Sequence, residues 1–181
     1  TQAAASTLVT DWLLRAASCG GGVNSGAWRL TGGATLLYAS AATDTSFMRL
    51  NRQAPAGIVY AGSYYGGVPV GTALASVHHP EGDLQKLSLG TLRRYGNCSG
   101  GSCGASDSGS GGFLVLDWQQ GSTERGSSGA AAFITIGGRR YVTGQLYGGT
   151  ASCTAPSGVD YFGRFDLSYR AALYKWLNPG R

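Results

Sequence analysis

A chain of 181 residues is long enough to bury a hydrophobic core, as one domain or as two small lobes. Hydrophobic residues make up 43% of the chain and charged residues only 13%, which excludes an intrinsically disordered protein. The net charge of +5 is spread over dispersed lysines and arginines, and no apolar run reaches ~18 residues, so the composition favours a cationic secreted protein that binds neither nucleic acid nor membrane.

The first half of the chain is predicted to form short strands joined by tight turns. The 31 glycines show no G-X-Y period and cluster between β-rich runs, a pattern typical of an all-β domain. Strands are expected within the residue ranges 6–14, 27–38, 44–50, 57–65, 71–80 and 84–90.

The second half continues the alternation of strands and turns and ends in a helix. Residues 96–112 are almost entirely Gly, Ser, Asn, Asp and Cys, which predicts a surface excursion. Further strands are expected at 113–118, 131–136 and 140–149. Many short strands followed by one terminal helix predict a β-barrel architecture.

The C-terminal residues 168–177 carry the one helical pattern, with Leu173, Trp176 and Leu177 on one face. Tryptophan is a large apolar side chain, so the simplest prediction for each tryptophan is a place in the core. The four tryptophans are Trp12, Trp28, Trp118 and Trp176.

The four cysteines indicate an oxidising compartment. Cys98 and Cys103 lie within NCSGGSC and are close enough in sequence to close a small disulfide loop. A zinc pair would need Cys-x2-Cys spacing and nearby histidines, which this segment lacks, so no metal and no other cofactor is expected. Two alternatives stay open for Cys19 and Cys153: they bond to each other, or they bond to cysteines outside this chain.

The stretch ERGSSGAAAF, residues 124–133, carries groups that a serine nucleophile requires. Acyl transfer needs a nucleophile, a base, an orienting carboxylate and an oxyanion hole. In the G-S-S-G turn, Ser128 is the candidate nucleophile, and the backbone N–H groups of Gly126 and Ser128 are expected to converge on the developing oxyanion. The competing interpretation is an ordinary surface turn, since Gly/Ser turns are common in this chain.

Motifs on both sides of this turn occur in the order of a known protein family. Downstream, VTGQLYGGTASC and VDYFGRF have the order of a specificity pocket, and upstream lie DTSFMRL and SVHHPEGDLQKLSLG. From about Ser6 to Trp176 the chain resembles the bacterial lysyl endopeptidases, which are secreted, trypsin-like serine proteases of the chymotrypsin fold. The resemblance implies an all-β fold of two barrels with a C-terminal helix, and cleavage of protein or peptide substrates after Lys or Arg.

The resemblance also implies roles for individual residues. Asp44, which opens DTSFMRL, falls on the triad aspartate, whereas without the resemblance the simpler explanation is a turn cap. Ser128 falls on the nucleophile, and Gly126 with Ser128 falls on the oxyanion hole. Asp160 falls on the pocket acid that pairs with the basic side chain of the substrate, and the competing partner of this carboxylate is Arg164.

The substrate side of the expected pocket departs from the family's pattern at one position. Tyr147 stands where the lysine-selective members have a pocket-lining histidine. Gly148 and Gly149, the next two residues, are expected to bind the substrate. The choice between Lys and Arg therefore stays open at the level of the sequence.

The catalytic histidine of the family has no counterpart in this sequence. The family carries it in a Thr-Ala-x-His-Cys stretch, and the first residues here, TQAAASTLVTDW, are similar to the family's residues on the C-terminal side of that stretch. The resemblance therefore implies an N-terminal fragment that supplies this base and the partners of Cys19 and Cys153. The two histidines present, His78 and His79, are interpreted as one packed and one solvated imidazole.

Residues 1–70 are expected to form the remainder of the first barrel, with Asp44, and residues 71–181 the second barrel with the nucleophile, the pocket and the helix. Two other functions stay open. One is a catalytically inactive protease homologue that binds peptides through the retained pocket. The other is a secreted β-rich adhesion or lectin module, in which Ser128 and Asp160 would be dispensable.

Overall fold

The computed structural model of the chain describes residues 1–106 and 110–178 and divides into two units. The first unit comprises Thr1–Ala39 and Ser46–Tyr60. The second comprises Ser40–Thr45 and the chain from Ala61 onward. Every predicted site residue, including Asp44, belongs to the second unit.

The first unit contains one short helix and two small sheets. The helix, α1, spans Gln2–Ala5, and the Thr1 hydroxyl caps it by accepting a hydrogen bond from the Ala4 N–H at 3.2 Å. The sheets are formed by two strand pairs, β1 (Thr10–Trp12) with β2 (Trp28–Leu30), and β3 (Ala34–Ser40) with β4 (Thr45–Leu50).

The predicted strand 27–38 is divided into β2 and β3 by a glycine turn. Gly33 adopts φ +72°, which favours glycine, and a Cβ at this position would lie 2.2 Å from the Ser6 carbonyl oxygen. The chain therefore bends where the apolar pattern alone suggested one continuous strand. Trp28, expected in the core, is 62% exposed in β2.

The second unit is built on one eight-stranded sheet among the described residues. Six of its strands, in the order β10-β6-β7-β9-β12-β11, close into a barrel because β10 also pairs with β11. The strands are β5 (Gly62–Ser63), β6 (Ala73–His78), β7 (Lys86–Ser99), β8 (Ser102–Ala105), β9 (Phe113–Gln120), β10 (Ala131–Ile136), β11 (Arg139–Gly149) and β12 (Val159–Arg164).

The interior of this barrel is filled by side chains at alternating strand positions. In β6, Leu74, Ser76 and His78 are buried at every second residue. A fully buried Leu or Phe side chain contributes roughly 1.5–3 kcal/mol. The main core cluster consists of Val68, Leu74, Leu92, Leu114, Leu116, Trp118, Ala132, Ile134, Leu146 and Phe162.

The predicted surface excursion 96–112 is in part a strand pair. Strand β7 continues to Ser99 and pairs with β8, and Cys98 lies directly opposite Cys103. The predicted disulfide joins these two cysteines. Residues 107–109 of this segment lie outside the described residues.

The predicted C-terminal helix is present and begins earlier than expected. It runs as α2 (Phe165–Ser168), a π-helical segment (Tyr169–Leu173) and α3 (Tyr174–Leu177). Leu173 is buried as expected, whereas Trp176 and Leu177 are 38% and 42% exposed. None of the described helices has the length and the apolar character that crossing a bilayer would require.

Candidate active site

The predicted nucleophile lies in the loop between β9 and β10. Gly126 and Gly129 adopt φ +86° and +83°, and Ser128 between them is exposed. Among the described residues, neither the Ser128 hydroxyl nor the N–H groups of Gly126 and Ser128 make a hydrogen bond to protein. These groups are therefore free to meet a ligand at the position predicted for the oxyanion hole.

Backbone hydrogen bonds hold this loop on both sides of Ser128. Before it, the Glu81 N–H donates to the Arg125 carbonyl oxygen at 2.6 Å. After it, the Gly129 N–H donates to the Leu146 carbonyl oxygen in β11 at 2.7 Å. The loop that carries Ser128, the predicted nucleophile loop, is thus fixed to the barrel even though its tip is exposed.

The predicted pocket acid, Asp160 in β12, is only 1% exposed. The Trp118 indole N–H and the Thr123 hydroxyl donate to its Oδ2 atom at 2.7 and 2.5 Å, and the Ala151 backbone N–H donates as well. Burial raises the pKa of this carboxyl, and the three hydrogen bonds act in the opposite direction. The donors fix the carboxylate in place without supplying a positive charge.

Arg164, the competing partner of that acid, is engaged elsewhere. It forms an ion pair with Asp166, with 2.8 Å between Nη2 and Oδ2, and both side chains are buried. Burial alone would raise the pKa of Asp166, but hydrogen bonds from Arg164 and Arg170 outweigh it and lower the pKa. No cationic side chain of the described residues pairs with the Asp160 carboxylate.

One cavity of about 360 Å³ is lined by both Ser128 and Asp160. Gly148 and Gly149, the residues expected to bind the substrate, line the same cavity. A Cβ on Gly149 would lie 2.2 Å from Asp160 Oδ1, so only glycine at this position avoids a clash with the carboxylate oxygen. The structure therefore brings the predicted nucleophile, the predicted pocket acid and the two glycines together.

The predicted triad aspartate, Asp44, lies at the tip of the β3–β4 hairpin with φ +47°. The Gln145 side-chain amide in β11 donates to the carbonyl oxygens of Thr43 and Asp44 at 2.6 and 3.3 Å. Burial raises the pKa of the Asp44 carboxyl. Asp44 and Tyr147 line a second cavity of about 420 Å³, whereas Ser128 lines the first, so the triad role of Asp44 and the pocket role of Tyr147 stay predictions.

Among the described residues, neither histidine is hydrogen-bonded to the predicted nucleophile. His78 is 2% exposed, with Nδ1 at 2.9 Å from the Ser127 hydroxyl oxygen and Nε2 at 3.0 Å from the Ser88 hydroxyl oxygen. The predicted packed imidazole is therefore His78, whereas His79, predicted to be solvated, is only partly exposed and has its Nδ1 atom 3.0 Å from the Asp83 carbonyl oxygen. The hydrogen-bond partners of His78 were not predicted from the sequence. The alternating pattern of β6 does indicate that His78 points toward the interior, because Leu74 and Ser76 on the same face are buried.

The two remaining cysteines, Cys19 and Cys153, are both free and exposed. The alternative of a bond between them is therefore not realised. The Cys153 N–H donates to Glu124 Oε1 at 2.6 Å, and a hydrogen bond with the same carboxylate raises the pKa of the Cys153 thiol. Bonds from these cysteines to partners outside the chain stay a prediction.

The sequence and the fold of the chain were compared with those of known proteins. Residues 1–163 match the family described as lysyl endopeptidase, C-terminal domain. This chain belongs to the lysyl endopeptidase family. A lysyl endopeptidase of Pseudomonas aeruginosa is 34% identical over 93% of this chain, and the chain spans about a third of that relative, 36% of its length.

Solved structures show the same fold at low sequence identity. A protease from M. tuberculosis in its active form covers 85% of this chain and 64% of its own, with a TM-score of 0.54 and 15% identity. A chymotrypsin from Cellulomonas bogoriensis covers 92% of this chain and 82% of its own, with a TM-score of 0.51 and 17% identity. The fold prediction of a chymotrypsin-like, all-β protein is thereby confirmed.

Proposed function

We propose that this chain carries the nucleophile and the specificity pocket of a secreted serine endopeptidase that cleaves after Lys or Arg. The observation that carries the proposal is the single cavity lined by the exposed Ser128 hydroxyl and the buried Asp160 carboxylate. Membership of the lysyl endopeptidase family supports the same chemistry.

In this proposal the Ser128 Oγ atom attacks the carbonyl carbon of the substrate, and its proton passes to a base. The oxyanion that forms accepts hydrogen bonds from the free N–H groups of Gly126 and Ser128. The C–N bond then breaks, the amine leaves with the proton, and an acyl group stays on Ser128. Water releases that acyl group by the same steps in reverse order.

The pocket of this proposal selects substrates by charge. Asp160 is a buried carboxylate that three neutral donors hold and that no cation of the described residues neutralises. A Lys or Arg side chain entering the cavity supplies the missing charge, whereas a neutral side chain leaves the carboxylate unpaired in a buried site. Tyr147 and Asp44 belong to the proposed site as the pocket-lining residue and the triad aspartate, respectively.

The base in this proposal is a histidine from a segment that precedes this chain in the complete protein. Both nitrogens of His78 are occupied by Ser127 and Ser88, and no hydrogen bond joins His79 to Ser128 among the described residues. The same observation favours a second candidate function, that of an inactive homologue that binds basic peptides in the intact pocket.

A covalent inhibitor separates the two functions. The complete natural protein containing this chain is treated with a fluorophosphonate and, separately, with peptide amides that carry Lys, Arg or norleucine before the cleaved bond. The proposal expects the label on Ser128 and cleavage after the basic residues. Ser128→Ala should abolish labelling and lower turnover by about 10⁶-fold, whereas Ser102→Ala, an exposed serine of β8, should change neither.

Other outcomes of this experiment identify the alternatives. A protein that binds the Lys peptide but is neither labelled nor active is the inactive homologue. A label on a serine other than Ser128 would overturn the assignment of the nucleophile.

A further inference from the structure

A buried polar network lies directly behind the nucleophile loop, and the proposed chemistry does not use it. It consists of the Ser127 hydroxyl, the His78 imidazole, the Ser88 hydroxyl and the Ser122 carbonyl oxygen, and we call it the His78 network. All three side chains are at most 2% exposed. Its distances are 2.9 Å from His78 Nδ1 to Ser127 Oγ, 3.0 Å from Nε2 to Ser88 Oγ, and 3.1 Å from Ser88 Oγ to the Ser122 carbonyl oxygen.

The direction of each hydrogen bond in this network can be assigned by counting protons. A carbonyl oxygen only accepts, so the single hydroxyl proton of Ser88 is donated to Ser122. Ser88 Oγ must then accept from His78 Nε2–H. A neutral imidazole carries one N–H, so Nδ1 is the acceptor and the Ser127 hydroxyl donates to it.

Two further observations agree with this assignment. The Glu124 backbone N–H donates to Ser127 Oγ at 3.3 Å, so that oxygen accepts one hydrogen bond and donates another. Burial, and secondarily the neighbouring His79, lower the pKa of His78, which keeps the imidazole neutral at pH 7. In the neutral Nε2–H tautomer, both ring nitrogens of His78 have a partner of the right kind.

The network fixes Ser127, the residue that orients the free N–H group of Ser128. The Ser127 N–H donates to the Glu124 carbonyl oxygen at 3.1 Å, and the Ser127 carbonyl oxygen accepts from the Ala130 N–H at 3.1 Å. The side chain supplies the third contact, to His78. The peptide plane that carries the Ser128 N–H begins at Ser127, so the orientation of Ser127 sets the direction of that donor.

We propose that His78 is a positioning residue, which holds Ser128 in the geometry for attack by accepting a hydrogen bond from the Ser127 hydroxyl. The inference rests on the proposed function, because it gives this network a role in the reaction at Ser128. His78 never touches the substrate in this account. It ties the nucleophile loop to β6 and, through Ser88, to β7.

Nitrogen-15 spectroscopy of the complete natural protein tests the assigned protons without measuring activity. With labelled histidine, two-bond correlations at pH 7.5 should show the His78 ring protonated at Nε2 and unprotonated at Nδ1. The His78 signals are the ones that disappear from the spectrum of His78→Gln. If that variant does not fold, they are identified by the change in the Nδ1 chemical shift in Ser127→Ala. A ring protonated at Nδ1, or a charged ring, would overturn the proposal.

Kinetics of two matched serine variants test the positioning role. Ser127→Ala removes the donor to His78, and Ser76→Ala removes a buried hydroxyl of β6 that donates to the Ala131 carbonyl oxygen at 3.0 Å. Each variant loses one buried hydroxyl, so the two should lower the unfolding midpoint by similar amounts. Ser127→Ala should lower kcat by about 100-fold with little change in KM, the effect of misplacing a reacting group by ~1 Å.

The matched control decides between positioning and packing. Ser76→Ala should keep the kcat of the natural protein, measured per fluorophosphonate-titrated site. Equal kcat values for the two variants would show that the His78 network only stabilises the fold. If the unmutated protein does not react with the fluorophosphonate at Ser128, the proposed function is wrong. The positioning role is then wrong too, even if the nitrogen-15 spectrum shows the expected tautomer of His78.

Discussion

Replacing Asp160 by asparagine is the sharpest test of the proposed pocket. The carbonyl oxygen of asparagine can take the place of Oδ2 and accept from Trp118 and Thr123, so the fold should survive. The amide nitrogen then occupies the place of Oδ1 beside Gly149, at the cavity. A basic substrate would meet a donor instead of a carboxylate.

The size of the effect depends on the burial of this group. Asp160 is 1% exposed, so the substrate cation is bound in a site where solvent screening is weak. Leaving one partner of a buried ion pair without the other costs about 3–5 kcal/mol. At ~1.4 kcal/mol per decade, kcat/KM for Lys or Arg substrates should fall by about 10²–10⁴-fold in Asp160→Asn.

The assay compares kcat/KM for amides of Lys, Arg and norleucine in the complete natural protein. Norleucine matches the lysine stem without its charge, so its kcat/KM should not fall in Asp160→Asn. Asp83→Asn is the matched control, because Asp83 is an exposed acid paired with Lys86 and such surface pairs contribute only about 0–1 kcal/mol. A variant Asp160→Asn that kept its preference for basic residues would refute the pocket assignment.

The pH dependence of the same preference gives an independent measurement. Burial raises the pKa of Asp160, so this carboxyl takes up its proton at a higher pH than an ordinary aspartate. As the pH falls through that raised pKa, the ratio of Lys to norleucine cleavage should decline in the natural protein. In Asp160→Asn the ratio should stay low and flat across this range.

Three further predictions concern stability and the pocket wall. Gly149→Ala should cost about 1–3 kcal/mol of unfolding free energy and lower kcat/KM for basic substrates, because its Cβ would overlap Asp160 Oδ1; an unchanged urea midpoint would contradict this. The pKa of His78 in the folded protein lies below its unfolded value of 6.5, so the unfolded chain binds more protons and the unfolding free energy should fall as the pH drops below 6.5. In His78→Gln, this contribution to the slope of unfolding free energy against pH should be absent. Asp166→Asn should lower the unfolding free energy by about 3–5 kcal/mol, measured in urea, because it removes the carboxylate of the buried Arg164–Asp166 ion pair.

Local patterns in the sequence predicted the barrel strands better than the first unit. The apolar run 131–136 coincides with β10, since its residues alternate between core and surface. The predicted strand 84–90 corresponds to β7, which continues to Ser99. The additional small polar residues of β7 pair with β8, and this pairing is a tertiary contact that the local sequence pattern does not indicate. Of the predicted strand 57–65, only Gly62–Ser63 forms a strand in the structure. Val59, which lies in the predicted range but outside the observed strand, is 92% exposed.

In the candidate site as well, residues that lie in linear motifs could be predicted from the sequence, whereas residues that only tertiary contacts bring together could not. Ser128 was predicted from the G-S-S-G turn together with the family resemblance, and Asp160 from the resemblance of its motif, and both residues line one cavity. The donors to Asp160 were missed, because Trp118 and Thr123 lie 42 and 37 positions away and only the barrel brings them close. For the same reason Trp118 was predicted only as a core side chain, although its indole N–H donates to Asp160, the predicted pocket acid.

The attachment of the Asp44 hairpin tip to β11 affects how the protein can be recombined with its relatives. Gln145 holds Thr43 and Asp44, and the Thr43 hydroxyl also lies 2.8 Å from the Ser168 hydroxyl in α2. Asp44 thus belongs to the same unit as Ser128, although the strands on either side of it, β3 and β4, lie mostly in the first unit. A chimera that takes residues 1–39 and 46–60 from another family member would receive a foreign first unit. It would keep Asp44 and Ser128, the predicted triad acid and the predicted nucleophile, together in its own second unit.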